Sequence, residues 1–385
     1  MPAGRHFLQI PGPTNVPDRV LRAMHRAPLD HRGPDFADLG ASVLADIKKA
    51  FRTENRVVIY PSSGTGAWEA ALVNTLSLGD QVLMYETGQF ATAWKTMAAK
   101  LGFEPIFMQG DWRNGANASA IGAELRADAD RRIRAVCVVH TDTSTGIVSD
   151  IAAVRREIDA AGHDALLMVD AISSLGSVDY RADDWGVDVT VAASQKGLMC
   201  PSGLSFNAIS PKAWAAAEAG GDRRSYWDWR AMAGPNEAGF FPYTPATNIL
   251  FGLREALDML AEEGWDNVLA RHARHAEATR IAVEAWGLEI LAEAPAERSN
   301  AVTAIMMPDG ESGDALRKIV RDHYDMSLGT GLNRLADKTF RIGHLGDFND
   351  LMMMGTLSGV EMGMIRAGVT HQKGGAQAAL EYLSQ

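Results

Sequence analysis

Residues 189–209 read VTVAASQKGLMCPSGLSFNAI, two short apolar runs joined by a turn-rich link. Val189–Ala193 is small and apolar on both faces, as a strand inside a covered sheet has to be. Ser194, Gln195 and Lys196 stand at its end, followed by Gly197 and a Cys-Pro-Ser-Gly turn. The link to the run at 204–209 is too short for the helical crossover that parallel neighbours need, so this second run is expected to lie antiparallel. Further apolar runs occupy 57–60, 81–86, 104–109, 135–140 and 166–171. Most are separated by helical patterns such as GAWEAALVNTL, FATAWKTMAAKLG and DIAAVRREIDAAG. The alternation predicts an α/β fold, with a large domain on a mostly parallel sheet of about seven strands.

Beyond residue 263 the texture changes. A long helical region, broken near Gly264, continues to Trp286. A strand at 302–307, a helix over Gly313–Tyr324, the stretch FRIGHLG and a Met-rich helix over 347–367 follow. This reads as a smaller C-terminal α+β domain over 264–385, after a large domain over 16–263.

With 385 residues, 46% hydrophobic and 22% charged, the chain can bury a large core. A net charge of −11 repels phosphate backbones, and the basic clusters Arg131, Arg132, Arg134 and Arg223, Arg224 read as solvated faces. No nucleic acid is expected. Cys137 and Cys200 make no disulfide framework, no HExxH or EF-hand loop indicates a metal, and no segment reaches the length of a membrane span. A cytoplasmic location is the expectation.

Ligands of such sheets bind beyond the carboxyl ends of the strands. After the first run comes PSSGTGAWEAAL, a Ser/Gly/Thr loop opening a helix, where free N–H groups and the Ser63 and Thr65 hydroxyls suit an anion. It carries neither GxxxxGK[ST] nor GxGxxG, which argues against a mononucleotide loop and a dinucleotide fingerprint. Phe90 follows the second run, Asp170 ends the fifth, and Lys196 ends the sixth. A lysine there loses hydration and deprotonates more easily. Anion cradle, flat apolar ring, acid and lysine together match pyridoxal phosphate, which needs each of them. Gly197 is read as room for that cofactor.

The motifs PGPTNVP, DHRGPDF, SSGTGAWEAAL, HTDTSTG, VDAISSLGS, SQKG, YTP and FRIGHLG, in this order, resemble the class V aminotransferases of pyridoxal-phosphate fold type I. Within them the chain is similar to the alanine/serine/aspartate:glyoxylate aminotransferase group. The resemblance implies that Lys196 bonds the cofactor and moves the proton, and that Asp170 pairs with the ring nitrogen. It implies that Ser63, Gly64, Thr65 and Gln195 hold the phosphate and that Thr143 bonds near the ring hydroxyl. Phe90 would stack on the ring and Arg341 would grip the substrate carboxylate. Gly12 and the segment 1–15 would close over the site. Thr244 would reach the phosphate of a neighbouring subunit, which implies a homodimer with shared sites. Phe241 stands where relatives have a phosphate-binding Tyr, so Tyr243 is the candidate substitute. Thr141-Asp142 replaces an expected Asn-Glu or Gly-Glu. Arg32 is a candidate cation for an aspartate donor, with a structural ion pair as its other reading. Tyr226 and Trp227 fit a pocket mouth or an interface equally well. The implied reaction moves an amino group from serine, alanine or aspartate to glyoxylate. The alternative within the fold is a lyase, either cysteine desulfurase-like or a β-eliminase.

Overall fold

The computed structural model describes residues 4–220 and 224–385. Its strands, in chain order, are β1 (Phe7–Gln9), β2 (Arg56–Tyr60), β3 (Gln81–Tyr85), β4 (Glu104–Met108), β5 (Ile133–Val139), β6 (Thr141–Asp142), β7 (Ile147–Val148), β8 (Leu166–Asp170), β9 (Val189–Ala193), β10 (Ser205–Ile209), β11 (Val302–Met306), β12 (Met326–Thr330) and β13 (Thr339–Gly343). A seven-stranded sheet has the order β2-β10-β9-β8-β5-β3-β4. The pairs β9–β8, β8–β5, β5–β3 and β3–β4 are parallel, and β10 runs antiparallel to β9 and β2. The expected α/β fold with a mostly parallel sheet is therefore present, including the reversed strand after the lysine.

Alternate residues explain why these strands look apolar throughout. Val57, Ile59, Leu167, Val169 and Phe206 face one core, against the helices Pro34–Phe51, Ile151–Ala160 and Thr247–Glu263. Val58, Tyr60, Leu166, Met168, Val189 and Val191 face the other, against Gly64–Thr75, Gln89–Lys100 and Pro211–Ala219. Both faces are dry, so the period-2 polar signal vanishes.

Gly264, with φ +86°, separates Thr247–Glu263 from Trp265–Ala285. The smaller sheet has the order β1-β12-β13-β11, so residues 7–9 lie in it, parallel to β12. β1, β12 and the β6–β7 hairpin are too short or too glycine-rich to stand out in the sequence. The Met-rich helix begins at Asp350, three residues later than expected, because Asn349 accepts the Met352 N–H at 2.9 Å and caps it there. The two units meet where Trp112 packs with Leu291, Ala304 and Leu335, while Arg334 pairs with Glu86.

One surface expectation fails. Arg224 is not solvated: it is buried, donating to the Asn74 carbonyl at 2.8 Å and to the Ala217 carbonyl. A guanidinium can cross a packed layer when backbone carbonyls satisfy its fork. Arg131, Arg132 and Arg134 are exposed, and Arg223 lies outside the described residues.

Candidate active site

The loops after β2, β3, β5, β8 and β9 converge on a cavity of about 240 Å³ at the carboxyl ends of these strands. Lys196 forms part of its wall and is 8% exposed. Burial strips water from its ammonium and the Arg341 guanidinium repels it, which together pull its pKa down to about 8 against the attraction of Asp170 and Asp142. An amine near that value is available as a nucleophile or base near neutral pH. Its Nζ donates to the Pro11 carbonyl. Gly12 lies directly over it: a Cβ there would stand 2.5 Å from Nζ, and the φ of +102° disfavours any side chain. Thr14 pins this strap, its N–H to the Gln195 carbonyl at 3.0 Å and its hydroxyl to the Lys196 carbonyl at 3.2 Å.

Asp170 ends β8, beside β9 in the sheet. The Ile172 N–H donates to Oδ1 at 2.7 Å and the Trp68 indole N–H to Oδ2 at 2.9 Å. Burial outweighs both bonds and raises the carboxyl pKa to about 7. Trp68 stacks on Trp94, with centroids 5.8 Å apart, and neighbours Phe90 at 6.5 Å. Phe90 and Trp68 both line the cavity.

Ser63 is the N-cap of Gly64–Thr75, but its side chain makes no cap bond. No side chain caps the start of that helix, where Ser63, Gly64 and Thr65 line the cavity wall, while the Gly66 N–H turns back to the Ser63 carbonyl at 2.9 Å. A Cβ on Gly64 would lie 2.9 Å from Ile172 Cγ1, so glycine lets these two loops touch.

Arg341, on β13, is buried behind the strap. Its Nε donates to the Thr330 carbonyl at 2.7 Å and Nη1 to the Thr143 carbonyl, while Nη2 has no hydrogen bond among the described residues. Burial lowers its pKa to about 10, opposed by Asp142.

A family model for class-V aminotransferases matches residues 6–333 of this chain. The chain belongs to the class-V aminotransferases. It is 48% identical to a serine–glyoxylate aminotransferase of Methylorubrum extorquens, covering 99% of this chain and 97% of that protein. It is 42% identical to an L-aspartate–glyoxylate aminotransferase of Paracoccus denitrificans, covering 98% and 96%. Its structure superimposes on pyridoxamine–pyruvate aminotransferase from Mesorhizobium loti with a TM-score of 0.92, 30% identity, and 99% and 98% coverage.

Pyridoxal phosphate is the cofactor of this family, and the class-V site here fits it. Two buried polar atoms of the cavity wall, Thr141 Oγ1 and Gln195 Oε1, have no partner among the described residues. Groups of that kind call for a polar ligand, since leaving them unpaired costs about 1–3 kcal/mol each. Anion cradle, buried acid and lysine complete the set.

Not every expected residue reaches this wall. Gly12, Ser63, Gly64, Thr65, Phe90, Thr143, Asp170, Gln195 and Lys196 line it. Arg341 stands behind it. Arg32 is exposed, with its backbone N–H on Asp30 Oδ1 at 3.0 Å. Thr244 is exposed, and the Tyr243 hydroxyl donates to the Ile59 carbonyl rather than into the cavity. Tyr226 stacks on Tyr243, and the Trp227 indole donates to Glu69 at 3.2 Å. Gly197 corrects a sequence reading. A Cβ there would strike Gly176, 2.7 Å from its carbonyl carbon, so this glycine serves a backbone-to-backbone approach and not the cofactor. Sequence reasoning missed Trp68 and Pro11. The available signal for Trp68 was a bulky indole among the small residues of GTGAWEAAL.

Proposed function

We propose that this class-V aminotransferase moves the amino group of a small L-amino acid (serine, alanine or aspartate) to glyoxylate, forming glycine and a 2-oxo acid. The observation that carries this reading is its near-full-length likeness to the serine–glyoxylate enzyme. Pyridoxal phosphate, when bound, supplies the aldehyde that carries the amine and a ring that accepts electrons. Lys196 Nζ would take the proton from the substrate Cα and deliver it to the carbon of the cofactor's aldehyde group, a role that a depressed amine pKa suits. Asp170 holds a positive ring nitrogen opposite its carboxylate, oriented by Trp68 and Ile172. Ser63, Gly64, Thr65 and Gln195 hold the phosphate, Phe90 covers the ring face, and Thr143 bonds beside it. Arg341 grips the substrate carboxylate, with the Gly12 strap limiting water.

The reading includes a homodimer. In this reading the exposed Thr244 reaches the phosphate of a second chain's site, Tyr243 is the candidate beside it, and Arg32 is the cation for an aspartate side chain. A cytoplasmic location also belongs to this reading; among the described residues no helix is long and apolar enough to cross a membrane.

The test is glycine formation from glyoxylate with serine, alanine, aspartate and glutamate as donors in parallel. Turnover with none of the first three overturns the proposal. Arg32→Ala is expected to impair aspartate more than serine; equal loss removes its assigned role. Arg341→Lys keeps charge but loses the planar fork, so KM for donor and glyoxylate should rise roughly 10–100-fold. An unchanged KM would reassign the carboxylate grip. A lyase reading finds little support: Cys137 and Cys200 are buried in the large domain, and burial pushes both thiols up, away from the reactive thiolate. Ammonia release from serine without any oxo acid would favour elimination instead.

A further inference from the structure

We propose that Asp142 is a positioning residue that clamps the Phe90 helix and the Thr143 loop together, and so sets the ring-stacking face and the Arg341 grip as one unit. The proposal rests on the pyridoxal-phosphate reading of the cavity. Helix Gln89–Lys100 begins after Gly88, which has no side chain with which to cap it. Its free N–H groups are satisfied from the β6–β7 hairpin. The Gln89 N–H donates to Ser144 Oγ at 2.9 Å, and the Phe90 and Ala91 N–H groups donate to Asp142 Oδ2 at 3.1 and 3.3 Å. Oδ1 accepts the Ser144 N–H at 3.0 Å and the Ser144 hydroxyl at 2.5 Å. All of these bonds come from donors, which favours the ionised carboxylate at the positive end of the helix, against the burial that raises its pKa.

The approach is built into the backbone. A Cβ on Gly88 would lie 2.6 Å from Asp142 Cγ, so glycine is required for the clamp to close. Thr145 adds a bond to the Thr87 carbonyl at 3.2 Å. One residue beyond Asp142, the Thr143 carbonyl accepts Arg341 Nη1. A shift of this hairpin therefore moves Phe90 and the guanidinium together. This also gives Asp142 a function at the place where the chain departs from the Asn-Glu or Gly-Glu expected there.

The test uses Asp142→Asn, Ser144→Ala and Asp142→Glu in the full chain. An amide at 142 must turn its NH₂ toward either the helix N–H groups or Ser144, setting donor against donor. Three readouts decide: amide hydrogen exchange of the cofactor-free protein, pyridoxal phosphate affinity by absorbance titration, and KM against kcat. Asp142→Asn is expected to speed exchange at Phe90 and Ala91 at least tenfold while leaving the β8 and β9 amides protected. Cofactor affinity should fall about tenfold and KM for both substrates should rise. Ser144→Ala should do the same more weakly, centred on Gln89, and Asp142→Glu should restore most of the cofactor affinity. If Asp142→Asn does not fold, the Ser144→Ala profile decides alone. Unchanged exchange and affinity in both variants, or faster exchange spread evenly over the chain, would overturn the proposal. Failure of the parent protein to take up pyridoxal phosphate would instead sink the cofactor reading, and exchange at Phe90 would still report the clamp.

Discussion

Lys196→Ala is expected to reduce turnover by at least about 10⁴-fold, the upper range for removing a positioned acid–base group. The parent protein, purified with pyridoxal phosphate, should be yellow and be bleached by borohydride; the variant should lose that colour and its retention of the cofactor. Nothing else in the cavity wall replaces the amine. The site's other cation, Arg341, is bound to the Thr143 and Thr330 carbonyls and remains charged at a pKa of about 10. The fold should survive the change, because the Lys196 backbone is held separately by Thr14 and by the Met199 N–H on its carbonyl. A variant with parent-like turnover would remove Lys196 from the mechanism.

Asp170→Ala carries the second large effect, a loss of about 10²–10⁴-fold in kcat. The carboxylate cannot be replaced locally, and its removal leaves the Trp68 indole N–H buried and unpaired. The cofactor-free protein offers a second readout with a definite sign. Burial raises the Asp170 pKa from 3.8 to about 7, so the folded chain holds a proton that the unfolded chain releases. Asp170 therefore costs stability progressively as pH rises from about 4 to 7, and no more above that. Lys196, lowered from 10.5 to about 8, costs stability as pH falls from about 10.5 to 8 and no further below. Relative to the parent, cofactor-free Asp170→Ala should therefore gain stability progressively as pH rises from about 4 to 7, read as the difference between the two melting profiles. An identical pH slope in the two proteins would contradict the burial argument.

The large-domain strands were legible because parallel strands covered on both faces are continuous apolar runs, and the short 194–204 link left β10 no route but reversal. The residues at the strand ends were legible because each loop carries an unusual type for its place: a lysine, an aspartate, a glycine-rich turn. Asp142 was not legible as a clamp. Its partners Phe90 and Ala91 are 52 and 51 residues away, and no local pattern links a hairpin to the start of a distant helix. Trp68 and Asp170 are separated by 102 residues, which hides the brace for the same reason.

By itself, then, the sequence determined the order of chemistry along the chain: cradle, ring, acid and lysine. Local periodicity and turn composition suffice for that, since they depend on neighbours in the chain. Tertiary structure decided which of these groups share a cavity, which stand behind it, and which lie off the chain's own cavity wall. It also decided their proton affinities, because burial and through-space charge set the values near 7 and 8 at Asp170 and Lys196. Those forces act across space between residues remote in the chain, so only the folded arrangement fixes them.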